Sequence, residues 1–180
     1  MNTPNLLLIT FDQMRADWLE LENNNIKAPN LKNLANKGWQ SKRCYTNSPQ
    51  CMPARFSWLT GLRCSQIGLT KNGPYSLLGG SPSFARDLKN RGWHTAVIGK
   101  THWYSHREKQ DLRDKEKIIK ELGFEYVEEV AGPRALKNVS CGLTDEWEKA
   151  KIWEKQKYDL DMRYRSGEES EAWLVRPSVL

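Results

Sequence analysis

"SPSFARDLKNRGWHTAVIGKTH", residues 81–102, runs from a helix through a strand to a polar end without a break. A Ser or Pro opens the helix over 81–92. Phe84 and Leu88 fall on one face, and Gly92 is a natural stop. "WHTAVIG" (93–99) then reads as a short buried strand, apolar and rich in β-branched residues. Lys100, Thr101 and His102 follow directly, so three polar residues stand at the carboxyl end of that strand.

The same alternation extends to both sides. "NLLLITF" (5–11) reads as another buried strand, parallel and central, with Asp12 and Gln13 at its end. "APNLKNLANKG" (28–38) predicts a helix with Leu31, Leu34 and Ala35 on one face and Gly38 as its stop. "WQSKRCYTN" (39–47) alternates loosely and reads as a strand. Pro53 suits the first turn of a helix that runs to about Thr60 and stops at Gly61. Residues 68–82 are loop, rich in glycine and turn pairs. Beyond 105 the text predicts a charged helix near 111–122, a strand within "FEYVEEV" (124–130) and one helix in 144–180, followed by polar sequence of no clear period.

No repeat or linker divides the 180 residues. Strand, helix, strand, helix, strand order predicts an α/β fold with a mostly parallel sheet flanked by helices. Such sheets place ligands outside the carboxyl ends of their strands. Asp12-Gln13, Lys100–His102 and the helix start at residue 51 are therefore expected to face one crevice.

Composition narrows the function classes. Hydrophobic residues are 38% and charged residues 28%, as in a globular chain with a real core. The longest apolar run, "LLLI" at 6–9, is far short of a membrane span, and no basic, apolar leader opens the chain. The expectation is a cytoplasmic protein without a membrane partner. Net charge is +6, but much of it lies in mixed runs such as "HREKQDLRDKEKIIKE" (106–121), which read as a solvated helix face. No nucleic-acid motif accompanies the charge, so no nucleic acid is expected. Cys44, Cys51, Cys64 and Cys141 form no Cys-x-x-Cys pair, which excludes zinc-ribbon and thioredoxin readings. Cys44, Cys64 and Cys141 read as ordinary, partly buried thiols.

Cys51 differs. It precedes a helix whose free N–H groups favour an anion, and Arg55 lies one turn on, with a guanidinium that can fork onto oxygens. A thiolate nucleophile is one reading. The spacing of only three residues between Cys51 and Arg55 fits poorly with cysteine-dependent phosphatases. Asp12 and Gln13 offer hard oxygen ligands for Ca²⁺ or Mg²⁺, or Asp12 caps a turn. Lys100 supplies a compact cation, and His102 a general acid or base. His94 and His106 read as a strand residue and a loop residue without a catalytic part.

"CMPARFSWLTG" (51–61) resembles the sulfatase signature, Cys-x-Pro-Ser/Ala-Arg followed by Thr-Gly. "GWHTAVIGKTH" (92–102) resembles the second sulfatase signature, with Trp93 in a Tyr place, and "NLLLITFDQMRAD" (5–17) resembles the opening strand with its metal-binding Asp. The resemblance is to formylglycine-dependent sulfatases of the alkaline phosphatase superfamily. It covers residues 4–133 well and 134–180 weakly, as an insertion or tail. It implies an alkaline-phosphatase-like fold and cleavage of small sulfate esters. Cys51 would be oxidised to formylglycine by a separate maturation enzyme that reads Cys-x-Pro-x-Arg. The hydrated aldehyde is then nucleophile and metal ligand, beside Asp12 and Gln13, on a divalent cation, calcium first and Mg²⁺ or Mn²⁺ as alternatives. Arg55 would hold the gem-diol, Lys100 would steady the diolate and the transferred group, His102 would assist breakdown of the covalent intermediate, and Asn72 would contact substrate. Asp12-Gln13 in place of two aspartates leaves phosphonate monoester or phosphodiester hydrolysis open. No Asp-His or Asp-Asn ligand pair follows residue 105. The expectation is therefore the N-terminal part of a single catalytic domain over 1–180, truncated before the domain's end and inactive alone. A C-terminal segment, a partner chain or an oligomer would complete it.

Overall fold

The computed structural model describes residues 4–12, 14, 27–106, 109–136 and 138–151, which fall into two compact units, 1–46 and 47–180. In the first unit, Pro29 stands at the first position of α1 (Pro29–Lys37), where its missing N–H is no loss. The helix ends at Gly38, whose N–H donates to the Ala35 carbonyl at 3.3 Å. The helix forms as its sequence predicts, yet it buries no residue, and Leu34 is 68% exposed.

Two expected strands are absent from this unit. Residues 4–11 hold no ladder partner among the described residues, and Leu6, Leu7, Leu8, Ile9 and Phe11 are all exposed. Residues 39–47 are likewise not a strand, and Trp39 and Tyr45 face solvent. The physical reason is common to both. A strand is stabilised by neighbours on its edges and over its faces, so an apolar run alone does not make one.

The second unit carries the core. Its first helix, α2 (Cys51–Thr60), starts two residues before Pro53 and buries Met52, Phe56 and Leu59 on one face. Gly61 closes it in the left-handed region (φ 71), with its N–H on the Ser57 carbonyl at 2.9 Å. A single turn, α3 (Cys64–Ile67), follows. Next, α4 (Phe84–Asn90) is capped by Ser83, whose Oγ accepts from the Arg86 N–H and donates to the Leu122 carbonyl. The chain then enters β1 (Ala96–Gly99).

β1 lies parallel to β3 (Tyr126–Glu129), in the register Ala96↔Tyr126 to Gly99↔Glu129. Between them come β2 (Gln110–Asp111), a 3₁₀ turn (Leu112–Lys115) and α5 (Glu116–Glu121), so the charged helix expected near 111–122 is split in two. Then come α6 (Pro133–Leu136), β4 (Val139–Ser140), which pairs parallel with β2, and α7 (Gly142–Lys149). The helix expected within 144–180 begins at Gly142, and the polar sequence beyond Lys151 lies outside the described residues.

The architecture is thus α/β with parallel pairing, as expected, but among the described residues it takes the form of two small two-stranded sheets. β1 is also less buried than its sequence suggests, with Ile98 73% exposed; β3 pairs with one edge, and no further strand pairs with the other among the described residues. The core is supplied mainly by helices and loops: Phe56, Leu59, Tyr104, Ile119 and Leu122 are each nearly inaccessible. Each such side chain contributes roughly 1.5–3 kcal/mol by leaving water. The Trp103 and Phe124 rings stack at 5.3 Å between centroids. Gly123 (φ 109) is required where α5 passes α4, because a Cβ there would lie 2.3 Å from the Arg86 nitrogen. No helix among the described residues is long and apolar enough to cross a membrane.

Candidate functional site

The site grows from the meeting of β1's carboxyl end with the start of α2. Gly99, at φ 101, turns the chain out of the strand, and Lys100 follows. The Lys100 ammonium donates to Cys51 Sγ at 3.3 Å. The space it crosses is kept open by Gly132, where a Cβ would stand 3.0 Å from Lys100 Nζ and 3.1 Å from Cε. Lys100's carbonyl accepts from an Arg55 guanidinium nitrogen. Arg55 is 7% exposed, lies over the Trp58 ring at 5.4 Å, and has its own carbonyl bonded by Trp103 Nε1 at 3.0 Å. Cys51, Arg55 and Lys100 therefore form one cross-linked group. Arg55 does more than the sequence suggests, since one of its donors fixes the backbone that carries Lys100.

Asn72 joins the same group. Its Oδ1 accepts from the Met52 N–H at 2.9 Å, and its own N–H donates to Gln50 Oε1 at 2.9 Å. One of the N–H groups left open at the start of α2 is thereby satisfied by a side chain 20 residues away. The oxygen of Asn72 orders the helix start, and its amide NH₂ is the end suited to an anion.

His102 stands two residues past Lys100, with φ 53, a left-handed conformation that a non-glycine residue seldom adopts. Its Nδ1 is buried with no hydrogen-bond partner among the described residues. Its pKa is lowered to about 4, first by burial and then by the positive charge of His106, Lys100 and Arg55. The imidazole is thus neutral near pH 7.

Behind this loop lies a buried carboxylate. Glu129, 5% exposed, accepts from the Thr101 hydroxyl and from the Tyr104 hydroxyl, and His106 Nε2 lies 3.4 Å from its Oε1. The His106 ring is 5.3 Å from that of His102 and 5.1 Å from that of Tyr104. Burial, then Glu129, pushes the Tyr104 phenol above its ordinary range, so it remains a donor. Sequence reasoning missed Glu129 and gave His106 no part. One signal was available. Val127 and Glu129 are two apart in a strand, so a period-2 reading places the acid on the same buried face as the valine. His94, by contrast, is fully exposed, with Nδ1 3.4 Å from Glu125.

Of the remaining expected ligands, Asp12 stands in an exposed turn of the first unit, and Gln13 lies outside the described residues. Among the described residues no group of three or more His, Cys, Asp or Glu side chains gathers as a complete metal cage requires. The described side chains around Cys51 thus form a cationic cradle. A cavity of about 480 Å³, lined in part by Ser76, Tyr104, Lys109 and Gln110, includes none of Cys51, Arg55, Lys100 or His102.

The described centre is a thiol held by an ammonium group at the carboxyl end of a parallel strand, in an α/β protein. The chain belongs to the sulfatase family: the family model Sulfatase matches residues 4–159. That family has an alkaline-phosphatase-like α/β fold and generally uses formylglycine with a divalent metal. The chain is 35% identical over 105 residues to an arylsulfatase of Clostridium perfringens, covering 58% of this chain and 22% of that protein. It is 34% identical over 108 residues to a choline-sulfatase of Rhizobium meliloti, covering 56% and 20%. Human arylsulfatase D is 34% identical over 110 residues, covering 55% and 18%. The matched stretch is thus about a fifth of the length of these curated relatives. No solved structure matches the chain.

Proposed function

We propose that this chain is the nucleophile-bearing portion of a formylglycine-dependent sulfatase that hydrolyses small sulfate esters. The single observation that carries the reading is the Lys100 ammonium 3.3 Å from Cys51 Sγ, held by Arg55 through the Lys100 carbonyl. Cys51, Pro53 and Arg55 supply the motif that a maturation enzyme reads when it oxidises the thiol to an aldehyde. Once hydrated, that aldehyde supplies an oxygen nucleophile for attack on sulfur.

The chain's own residues then have separable tasks. Lys100 places a full positive charge where negative charge gathers at residue 51. The start of α2 adds its N–H dipoles on the same side. Arg55 keeps Lys100 in place, and Asn72 holds the helix start and would offer its amide to the anion. His102, neutral near pH 7, is set to take up a proton at its buried Nδ1. Asp12, Gln13 and the oxygen at residue 51 would hold the divalent cation, calcium first, with its further ligands supplied from outside the described residues. That ion supplies Lewis-acid stabilisation of the oxygens on sulfur.

A second reading shares the nucleophile. Gln13 beside Asp12 lowers the charge at the cation by one relative to a pair of aspartates, which leaves phosphonate monoester or phosphodiester hydrolysis open. Two experiments test these readings. Peptide mass spectrometry across residues 44–63 is expected to find an aldehyde at position 51 when the maturation enzyme is co-expressed. Turnover of an aryl sulfate by the whole protein, set against an aryl phosphonate and a phosphodiester, is expected to favour the sulfate. An unmodified thiol with full activity would overturn the formylglycine reading, and preference for the phosphonate would overturn the sulfatase one.

A further inference from the structure

We infer that Glu129 is a positioning residue, whose buried carboxylate sets the Lys100–His106 loop and so aims the Lys100 ammonium at residue 51. The inference rests on the reading of Cys51 and Lys100 as the reactive pair. A carboxylate at this depth is costly unless every oxygen is met by donors. Here Thr101 and Tyr104 donate hydroxyls, one to each oxygen, and His106 Nε2 lies 3.4 Å from Oε1 without forming a hydrogen bond. Both donors lie within the four residues that follow Lys100. One carboxylate therefore pins this loop at two points.

The placement follows from the sheet. Glu129 is registered against Gly99, the residue immediately before Lys100, and the Val130 N–H donates to the Gly99 carbonyl at 3.1 Å. Thr101, 1% exposed, points to Glu129, and Lys100 before it reaches Cys51. The loop also holds His102 at φ 53, a conformation unfavourable by roughly 1–2 kcal/mol for a residue with a Cβ. Bonds on both sides of His102, at Thr101 and Tyr104, offset that strain. An apolar residue at 129 would fill the space without setting this geometry.

The test uses the 180-residue chain with Cys51 unconverted. Iodoacetate, an anion, and iodoacetamide, its neutral analogue, are reacted with it, and the rates at Cys51 are read by peptide mass spectrometry. Their ratio reports positive charge beside the sulfur and cancels changes in nucleophilicity. Cys64 and Cys141, both buried, serve as an internal check that the fold persists. Lys100→Met calibrates the assay and is expected to lower the ratio about three- to tenfold, as loss of one near charge in a partly aqueous site would.

Thr101→Val and Tyr104→Phe each remove one bond to Glu129 without changing charge. Each is expected to lower the ratio at least about threefold, towards the Lys100→Met value. Thr101→Ser, which keeps the hydroxyl, is expected to retain the parent ratio. If Thr101→Val exposes Cys64 and Cys141, Tyr104→Phe decides, because it keeps the buried ring in place. Parent ratios in the folded variants overturn the role of Glu129 while leaving the Cys51–Lys100 site intact. A parent ratio in Lys100→Met overturns the site reading itself.

Discussion

Lys100 and Cys51 are 49 residues apart in the chain, and the ammonium of one donates to the sulfur of the other at 3.3 Å. The contact joins the carboxyl end of β1 to the start of α2. It brings a cation to a candidate nucleophile, and several consequences can be measured.

Lys100→Met in the active whole protein should lower kcat by about 10²–10³-fold, the range found when one donor to a developing oxyanion is removed. Steady-state kinetics on an aryl sulfate give the value. A kcat within twofold of the parent would remove Lys100 from the chemistry.

Arg55→Lys keeps the charge and loses the planar fork. The Lys100 carbonyl is then left without its guanidinium donor, and the contact over Trp58 is lost. Activity should fall by more than tenfold, and thermal unfolding should show a loss of about 1–3 kcal/mol. Parent-like values in both measurements would contradict the linking role given to Arg55.

The His102 imidazole, with its pKa lowered to about 4 in the fold against 6.5 in the unfolded chain, makes stability depend on pH. Between those values the unfolded chain binds more protons, so stability rises with pH. The His102 contribution should be fully present above about pH 6.5 and should be lost progressively as pH falls towards 4. Urea unfolding at pH 7.5, 6, 5 and 4.5 should show a slope that His102→Gln reduces. An unchanged slope would refute the buried, neutral state.

Gly123→Ala should destabilise the second unit by roughly 2–4 kcal/mol, since it combines a positive φ with a Cβ pressed into the α4 backbone. Chemical denaturation measures the loss. A change below 1 kcal/mol would mean that α4 and α5 can separate at little cost.

Asp12→Asn in the matured whole protein should weaken calcium binding at least about tenfold, because a hard cation depends on ligand charge. Isothermal titration with calcium provides the check. Equal affinity would take Asp12 out of the ligand set.

Much of this chain is legible from local signals. α1 with Pro29 and Gly38 and α2 with its stop at Gly61 stand within two residues of where turn and capping chemistry place them, and α4 starts three residues later than its sequence suggests, behind a Ser83 cap. These elements depend on backbone groups a few residues apart, which a linear pattern encodes. The parallel pairing was legible for a different reason, because strands separated by a helix admit few arrangements. Residues 4–11 and 39–47 were misread because strands depend on partners distant in sequence.

The site divides along the same line. Cys51, Arg55, Lys100 and His102 were recognisable as residue types in known patterns, since reactivity belongs to the side chain and its close neighbours. Glu129, Gly132 and the oxygen of Asn72 were not, because each acts only through a group 20 or more residues away. An acid at the end of a strand reads as solvated until Thr101, Tyr104 and His106 fold over it. A glycine reads as a turn until a lysine stem is seen to need its missing Cβ. Chemical identity travels with the linear chain, whereas burial, contact and direction arise only when distant segments close on one another.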